Sequence, residues 1–254
     1  MVIITAANSP YFWGLENLVG SIHFWAPEQQ IVIYNLGLNK SLIEEISTWK
    51  NTSLVHRFLP KDVPEHCKVI HYYAWKPLAI HHAIQHHQSL LWVDAGSDLR
   101  APLTELQDYL EQDGHFFVQG QDLDMTLMSH DSCYKAMGTK KEYFKGKPHF
   151  AGNLQGYVQN SKAHTLILEP LYRYALNQDC IAPTGSNLTN HRFDQTVLSI
   201  LISQSQLSII PRTNLLSAHR HELHPDPEEP SAATVYTARC SSDEYVDKII
   251  ERAE

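Results

Sequence analysis

Cysteine is scarce in this sequence: 254 residues contain four, Cys67, Cys133, Cys180 and Cys240, with no CxxC spacing among them. That excludes a zinc ribbon and a dense disulfide framework, and the four are expected to be reduced core or surface residues. No apolar run reaches the roughly 18 residues that a membrane-spanning helix needs, and no basic segment precedes the strand-like Val2 to Thr5. A cytoplasmic protein with no export signal or transmembrane segment is therefore expected. There is no block of one charge sign either: 20 basic and 28 acidic residues are interspersed, for a formal charge of −8. Such a surface does not suit a nucleic-acid backbone, although small charged ligands remain admissible. Internal repeats and low-complexity tracts are missing, and the glycosylation tripeptides at Asn51 and Asn187 carry little weight without a secretory signal.

What is present is organised around Ser89 to Leu99, SLLWVDAGSDL, an apolar run that ends in Asp94 and Asp98 with Gly96 between them. A short apolar run closed by a glycine and polar residues predicts a buried strand, and open α/β sheets bind ligands at the carboxyl ends of such strands. Two carboxylates there have the chemistry to hold a hard metal ion against phosphates; the plainer alternative is a turn cap at Asp94 and a solvated Asp98. Upstream, Val2 to Thr5, Gln30 to Tyr34 and Leu54 to Phe58 read as strands. Between them lie a helix from Tyr11 to Phe24 and a short one capped by Ser41 and Glu44. The β-α-β-α-β order predicts a parallel sheet with crossover helices.

Downstream, Trp75-Lys76-Pro77 opens a helix with proline in its first turn, and Leu103, Leu106 and Leu110 mark another that stops at Asp113-Gly114. His115 to Val118 and Leu154 to Val158 read as strands, separated by a polar, aperiodic stretch from Gly120 to Phe150. Ser161 caps a helix perturbed at Pro170, and a loop from Cys180 to Asn190 leads into a helix whose apolar face is Val197, Leu198, Leu201 and Ile202. Leu207 to Ile210 is expected as a last core strand, and Ser241 with Glu244 as the cap of a C-terminal amphipathic helix. His82 and His86, four apart without an intervening glutamate, read as a solvated helix face rather than a metal pair.

In this order, the β-α opening with Asn8, YYAWKP, LLWVDAGSDL, PHFAGNLQGY and HRFDQTVLSIL resemble GT-A-fold glycosyltransferases. The nearest resemblance is to the glycogenin-like and bacterial lipooligosaccharide galactosyltransferase-like group (glycosyltransferase family 8-like), over roughly Val2 to Pro211. The resemblance implies an α/β GT-A fold, a mostly parallel central sheet flanked by helices, in a single domain spanning residues 1–254. Residues 1–120 would be a nucleotide-binding half, 121–224 a donor-sugar and acceptor half, and 225–254 a C-terminal loop and helix. It further implies transfer of a hexose from a nucleoside-diphosphate sugar, most simply a uridine diphosphate sugar, to a saccharide or glycan acceptor with retention of configuration.

By the same resemblance Ala6, Asn8, Lys76, Asp94, Ala95, Gly96, Gly152, Asn153 and Gln155 would contact the donor, with Asp194 and Gln195 as the catalytic pair beside the anomeric carbon. Manganese or magnesium (Mn2+ or Mg2+) would be held by Asp94, Asp98 and His219. The group's D-x-D motif is degenerate here, since Gly96 stands where the second carboxylate belongs, so a lysine or arginine such as Lys76 or Arg100 is the alternative clamp on the leaving diphosphate. Asp122, Asp124 and Asp194 are candidate bases for an acceptor hydroxyl. Two other readings stay open: a catalytically inactive GT-A-like domain that binds a nucleotide or glycan, and a metal-dependent hydrolase built on Asp94, Asp98 and the His219, His221 and His224 cluster.

Overall fold

The β-branched run after Met1 forms β1 (Val2–Ala7), which is buried at every position. In chain order it is followed by α1 (Phe12–Trp25), β2 (Ile31–Asn35), α2 (Lys40–Ile46), β3 (Thr52–Val55), α3 (Trp75–Ile84), β4 (Ser89–Val93), β5 (Asp98–Leu99), α4 (Thr104–Asp113) and β6 (His115–Gln119). Then come α5 (Asp131–Ala136), β7 (Phe150–Val158), α6 (Glu169–Ala175), α7 (Gln178–Ile181), α8 (Asp194–Ser205), β8 (Leu216–Ser217) and β9 (Val235–Tyr236). The structure, a computed structural model, describes residues 1–120, 124–207, 209 and 215–252. Two compact units make up this mixed α/β chain: Met1–Arg57, Ser89–Gln112 and Thr213–Glu254 form the first, Phe58–Gln88 and Asp113–Arg212 the second.

In the first unit β1 pairs in parallel with β2 and with β4, and β3 extends the sheet beyond β2, giving the order β3-β2-β1-β4. Parallel strands covered on both faces need apolar side chains on both, and Leu90, Leu91, Trp92 and Val93 of β4 are all fully buried. A second, three-stranded sheet has the order β5-β9-β8 and ties the C-terminal segment to the residues just after Asp94. In the second unit β6 and β7 are antiparallel, α8 packs on β7, and α3 packs on α6. All four cysteines are free, three of them buried. Among the described residues no helix is long and apolar enough to cross a membrane.

Four local expectations are corrected. Asn39, not Ser41, caps α2, its side chain accepting from the Leu42 amide. β3 begins at Thr52 and ends at Val55 rather than running from Leu54 to Phe58, because its register is set by β2. Gly120 to Phe150 holds α5 and two 3-10 turns, Met125–Met128 and Lys141–Phe144, folded on one another rather than a bare loop. The C-terminal helix does not form: only a 3-10 turn, Val246–Lys248, is present, the Ser241 hydroxyl donating locally to the Ala238 carbonyl and Glu244 drawn into a tertiary bond. Ser242 and Glu244 bind Arg100, and the Tyr245 amide donates to Asn17. The Pro170 perturbation takes the form of a π-helical turn at His164–Leu168, ahead of a proline with no N–H to give the preceding turn. The strand expected at Leu207 to Ile210 falls partly outside the described residues.

Candidate functional site

The second unit brings together the residues from YYAWKP, AGNLQGY and HRFDQ. Lys76 lies in the first turn of α3 and is 4% exposed; Asp194 is the first residue of α8 and is 6% exposed. The Lys76 ammonium is 3.5 Å from the Asp194 carboxylate and donates to the Gly152 carbonyl at 3.2 Å. A charge buried this deeply is sustained only by a partner, so each of the two residues fixes the other. Asp194 does not act as the helix cap: the capping position belongs to Phe193, which offers no side-chain bond.

Backbone strain sits on both sides of the pair. Tyr73 (φ 55°) precedes α3 and Phe193 (φ 48°) precedes α8, both in the region that aromatic residues avoid. Their rings lie 5.6 Å apart, and Phe193 also stacks against Tyr72 and packs on His191. Aromatic packing therefore holds two unfavourable turns, and strain of that kind concentrates at functional sites.

The third component is an irregularity in β7. Gln155 pairs with Phe117 and Phe150 with Gln119, so five steps along β7 face two along β6, and the excess residues include Gly152 and Asn153. Bulges re-aim the chain in this way beside active sites. Gly152 is required by its surroundings: a Cβ there would lie 3.3 Å from both the Asp194 carboxylate and the Gln195 Cβ. Its carbonyl also accepts from the Gln155 amide at 2.8 Å, and the Tyr157 hydroxyl donates to Gln155 at 2.9 Å. Burial pushes the Tyr157 hydroxyl far above its usual range, with the Asp194 charge adding to the effect, so it remains a neutral donor. Gln195 and Asn153 stay half-buried, and a Cβ on Gly120 would come within 3.4 Å of the Gln195 amide. Tyr157, Gly120 and Phe193 were not singled out from sequence, although Tyr157 shares the face of Gln155 by strand alternation.

In the first unit Asp94 leaves the end of β4 half-exposed, and its carboxylate accepts from the Trp92 indole at 2.6 Å. Ala6 and Ala95 are buried, while Asn8, just beyond β1, has a buried side-chain oxygen with no hydrogen-bond partner among the described residues. Asp98 is placed differently from a ligand carboxylate. It is fully buried, takes Arg100 at 2.8 Å and 3.0 Å on its two oxygens, and accepts from Asn17 at 2.8 Å. Arg100 in turn binds Ser242 and Glu244, so it is no free clamp for phosphate. His219 is exposed, its ring stacked on His221, and Asp124 caps the turn at Thr126. Asp122 lies outside the described residues.

These donors do not fit the metal ion of a D-x-D motif. A site for manganese or magnesium needs several oxygen ligands converging at one point. Asp98 has both oxygens committed, Gly96 supplies no side chain, and among the described residues no group of three or more His, Cys, Asp or Glu is able to hold a metal ion.

A protein-family model described as "Protein of unknown function (DUF1647)" matches residues 1–81. No curated protein matches the sequence. Among solved structures, galactosyltransferase LgtC, in complex with donor and acceptor sugar analogs, is similar over 100% of this chain and 98% of its own, with a TM-score of 0.57 and 12% identity. Mouse xyloside xylosyltransferase 1 is similar over 94% of this chain and 98% of its own, with a TM-score of 0.56 and 9% identity. The bifunctional glycosyltransferase WbbM is similar over 93% of this chain and 45% of its own, with a TM-score of 0.51 and 11% identity. The fold of the chain is GT-A-like, the fold of these glycosyltransferases.

Proposed function

We propose that the protein is a glycosyltransferase that moves a hexose from a uridine diphosphate sugar to a hydroxyl of a saccharide or glycan acceptor, with retention of configuration. One observation carries the reading: the buried Lys76–Asp194 pair, set between two strained aromatic turns and against a glycine that leaves room beside the carboxylate. In glycosyl transfer the bond from the anomeric carbon to the phosphate oxygen breaks and its electron pair leaves with the phosphate. Positive charge grows on the sugar, and a fixed carboxylate such as Asp194 stabilises that charge best where water is excluded. The half-buried Gln195 amide is the neutral hydrogen-bonding group with which a sugar hydroxyl would be oriented, held beside Gly152.

Retention fits the chemistry of Asp194. An inverting displacement needs a carboxylate free to take the acceptor's proton, whereas this one is tied to an ammonium. LgtC, a galactosyltransferase solved with donor and acceptor sugar analogs, supports the same reaction class. The hydrolase alternative loses its basis with the metal donors dispersed.

The test is incubation of the full chain with a panel of uridine diphosphate sugars, following release of uridine diphosphate with and without mono- and disaccharide acceptors. Slow hydrolysis of one donor, accelerated by an acceptor and giving product of unchanged anomeric configuration, is expected. Binding of uridine diphosphate without hydrolysis or transfer of any donor would replace the reading by that of an inactive binding domain.

A further inference from the structure

We propose that Arg239 takes the place of the missing metal ion: its guanidinium, carried to the end of β4 by the C-terminal segment, neutralises the donor's diphosphate, and the protein binds a nucleoside diphosphate without metal. The identity of the anion rests on the glycosyltransferase reading; the placement of the arginine does not.

Gly96 stands where a second carboxylate would be. A Cβ there would lie 3.3 Å from the Arg239 Cα and 3.6 Å from the Cys240 nitrogen, so a side chain at this position would press on the C-terminal backbone, which lies directly against it. The approach is fixed by pairing on both sides. Arg239 donates its amide to the Gly96 carbonyl at 2.5 Å, Asp98 and Leu99 pair with Tyr236 and Val235, and the Arg100 amide donates to Thr234 at 2.9 Å. The glycine and the docked C-terminal segment thus belong together: an arginine-bearing turn lies against the position where a second carboxylate would stand.

That turn is itself unusual. Arg239 (φ 52°) and Cys240 (φ 61°) are consecutive non-glycine residues in left-handed conformation. Such a turn is costly and persists where its surroundings over-determine it, which is the pattern of functional segments. The other cations of this part of the chain are committed: Arg100 to Asp98 and Glu244, Arg220 to Glu244, Lys248 to Glu228, and Arg252 to the Trp49 and Thr52 carbonyls. Arg239 is exposed, and among the described residues its side chain has no carboxylate partner. A guanidinium presents a planar fork of donors matched to phosphate oxygens, and unlike lysine it keeps its charge in any environment. With the phosphates held in this way, Asp94 is left as an acceptor for a donor hydroxyl instead of a metal ligand.

The experiment is calorimetric titration of the full chain with uridine, guanosine, adenosine and cytidine diphosphates, in EDTA and again in manganese chloride. The nucleoside diphosphate that binds should do so in EDTA with an affinity within about threefold of that in manganese. Arg239→Asn keeps a residue tolerant of left-handed backbone. It should weaken that binding by about tenfold or more while leaving binding of the free nucleoside unchanged, and Arg239→Lys should restore part of the loss. Binding that appears only with manganese, or an Arg239→Asn protein with wild-type affinity in EDTA, overturns the proposal and leaves the glycosyltransferase reading standing. Absence of binding by all four diphosphates in both media removes both.

Discussion

The Asp98–Arg100 pair of the first unit and the Lys76–Asp194 pair of the second are almost equally withdrawn from solvent, but their surroundings differ. Around Asp98 every oxygen is satisfied by Arg100 and Asn17, and Arg100 is further enclosed by Ser242, Glu244 and the rings of Tyr236 and Tyr245. Its neighbours β5 and β9 are regular paired strands. Around Asp194 the pairing is looser, 3.5 Å against 2.8 Å, and the neighbours are a bulge, a glycine and two strained turns. A network among regular strands fastens the C-terminal segment, while an ion pair beside irregular backbone sits where strain concentrates at functional sites. Burial of an ion pair therefore does not separate structure from function; the regularity of what surrounds it does.

The largest effect that sharpens this contrast is expected at Arg100. Burial raises the Asp98 carboxyl above its ordinary range, with Arg100 pulling the other way, so the charge depends on its partner. Arg100→Ala should cost about 3–5 kcal/mol in urea unfolding and release the segment after β9, read as faster amide exchange at Tyr245. A loss below about 1 kcal/mol would mean that the network is not what holds this segment.

Asp194→Asn should show a different balance. It leaves the buried Lys76 ammonium without its counter-charge, so the melting temperature should fall, though less than in Arg100→Ala because the amide oxygen still accepts from Lys76. Turnover, measured below the melting range of the variant, should fall on the order of a hundredfold for want of the charge. Binding of uridine diphosphate should stay within about threefold of wild type, because the phosphates do not depend on this carboxylate. Equal losses in turnover and in diphosphate affinity would move Asp194 from the reacting centre to general binding.

What could be read from the chain follows the same division. Apolar periodicity marked β1, β2, β4 and α1, α3, α4 and α8, since these elements are built from local patterns that burial then confirms. Lys76, Gly152, Gln155 and Asp194 were legible as members of a motif order, but not their convergence, which depends on a register shift between β6 and β7. Asp98 and the C-terminus were misread for one reason. Glu244 has the local form of a helix-capping residue, and Asp98 that of a surface carboxylate, until Arg100 binds Glu244 from 144 positions away and Asn17 binds Asp98 from 81. Local rules yield where a buried charge demands distant partners.

The smallest effect expected concerns pH, and it tests whether the two units are held by similar neutral histidines. In the second unit His191 donates from Nε2 to the Ile181 carbonyl at 3.2 Å and accepts at Nδ1 from the His130 amide at 3.2 Å. In the first, His23 contacts the Lys50 carbonyl through Nε2 and accepts from Ile250 at Nδ1. Each ring has both nitrogens used in a way only the neutral form allows, and a second proton would break the accepted bond. Burial accordingly lowers His191 to about 4 and lowers His23 as well. Because these values lie below the unfolded one of roughly 6.5, the unfolded chain binds more protons in between. Stability is then fully present above the unfolded value and is lost as pH falls toward 4. For His191 alone the loss should be about 2 kcal/mol at pH 5. His191→Gln, whose amide reproduces both bonds without titrating, should flatten the dependence of the melting temperature between neutral pH and pH 4. A wild-type profile already flat over that range would show that the ring protonates without losing its partners, and that the comparison between the units ends at their ion pairs.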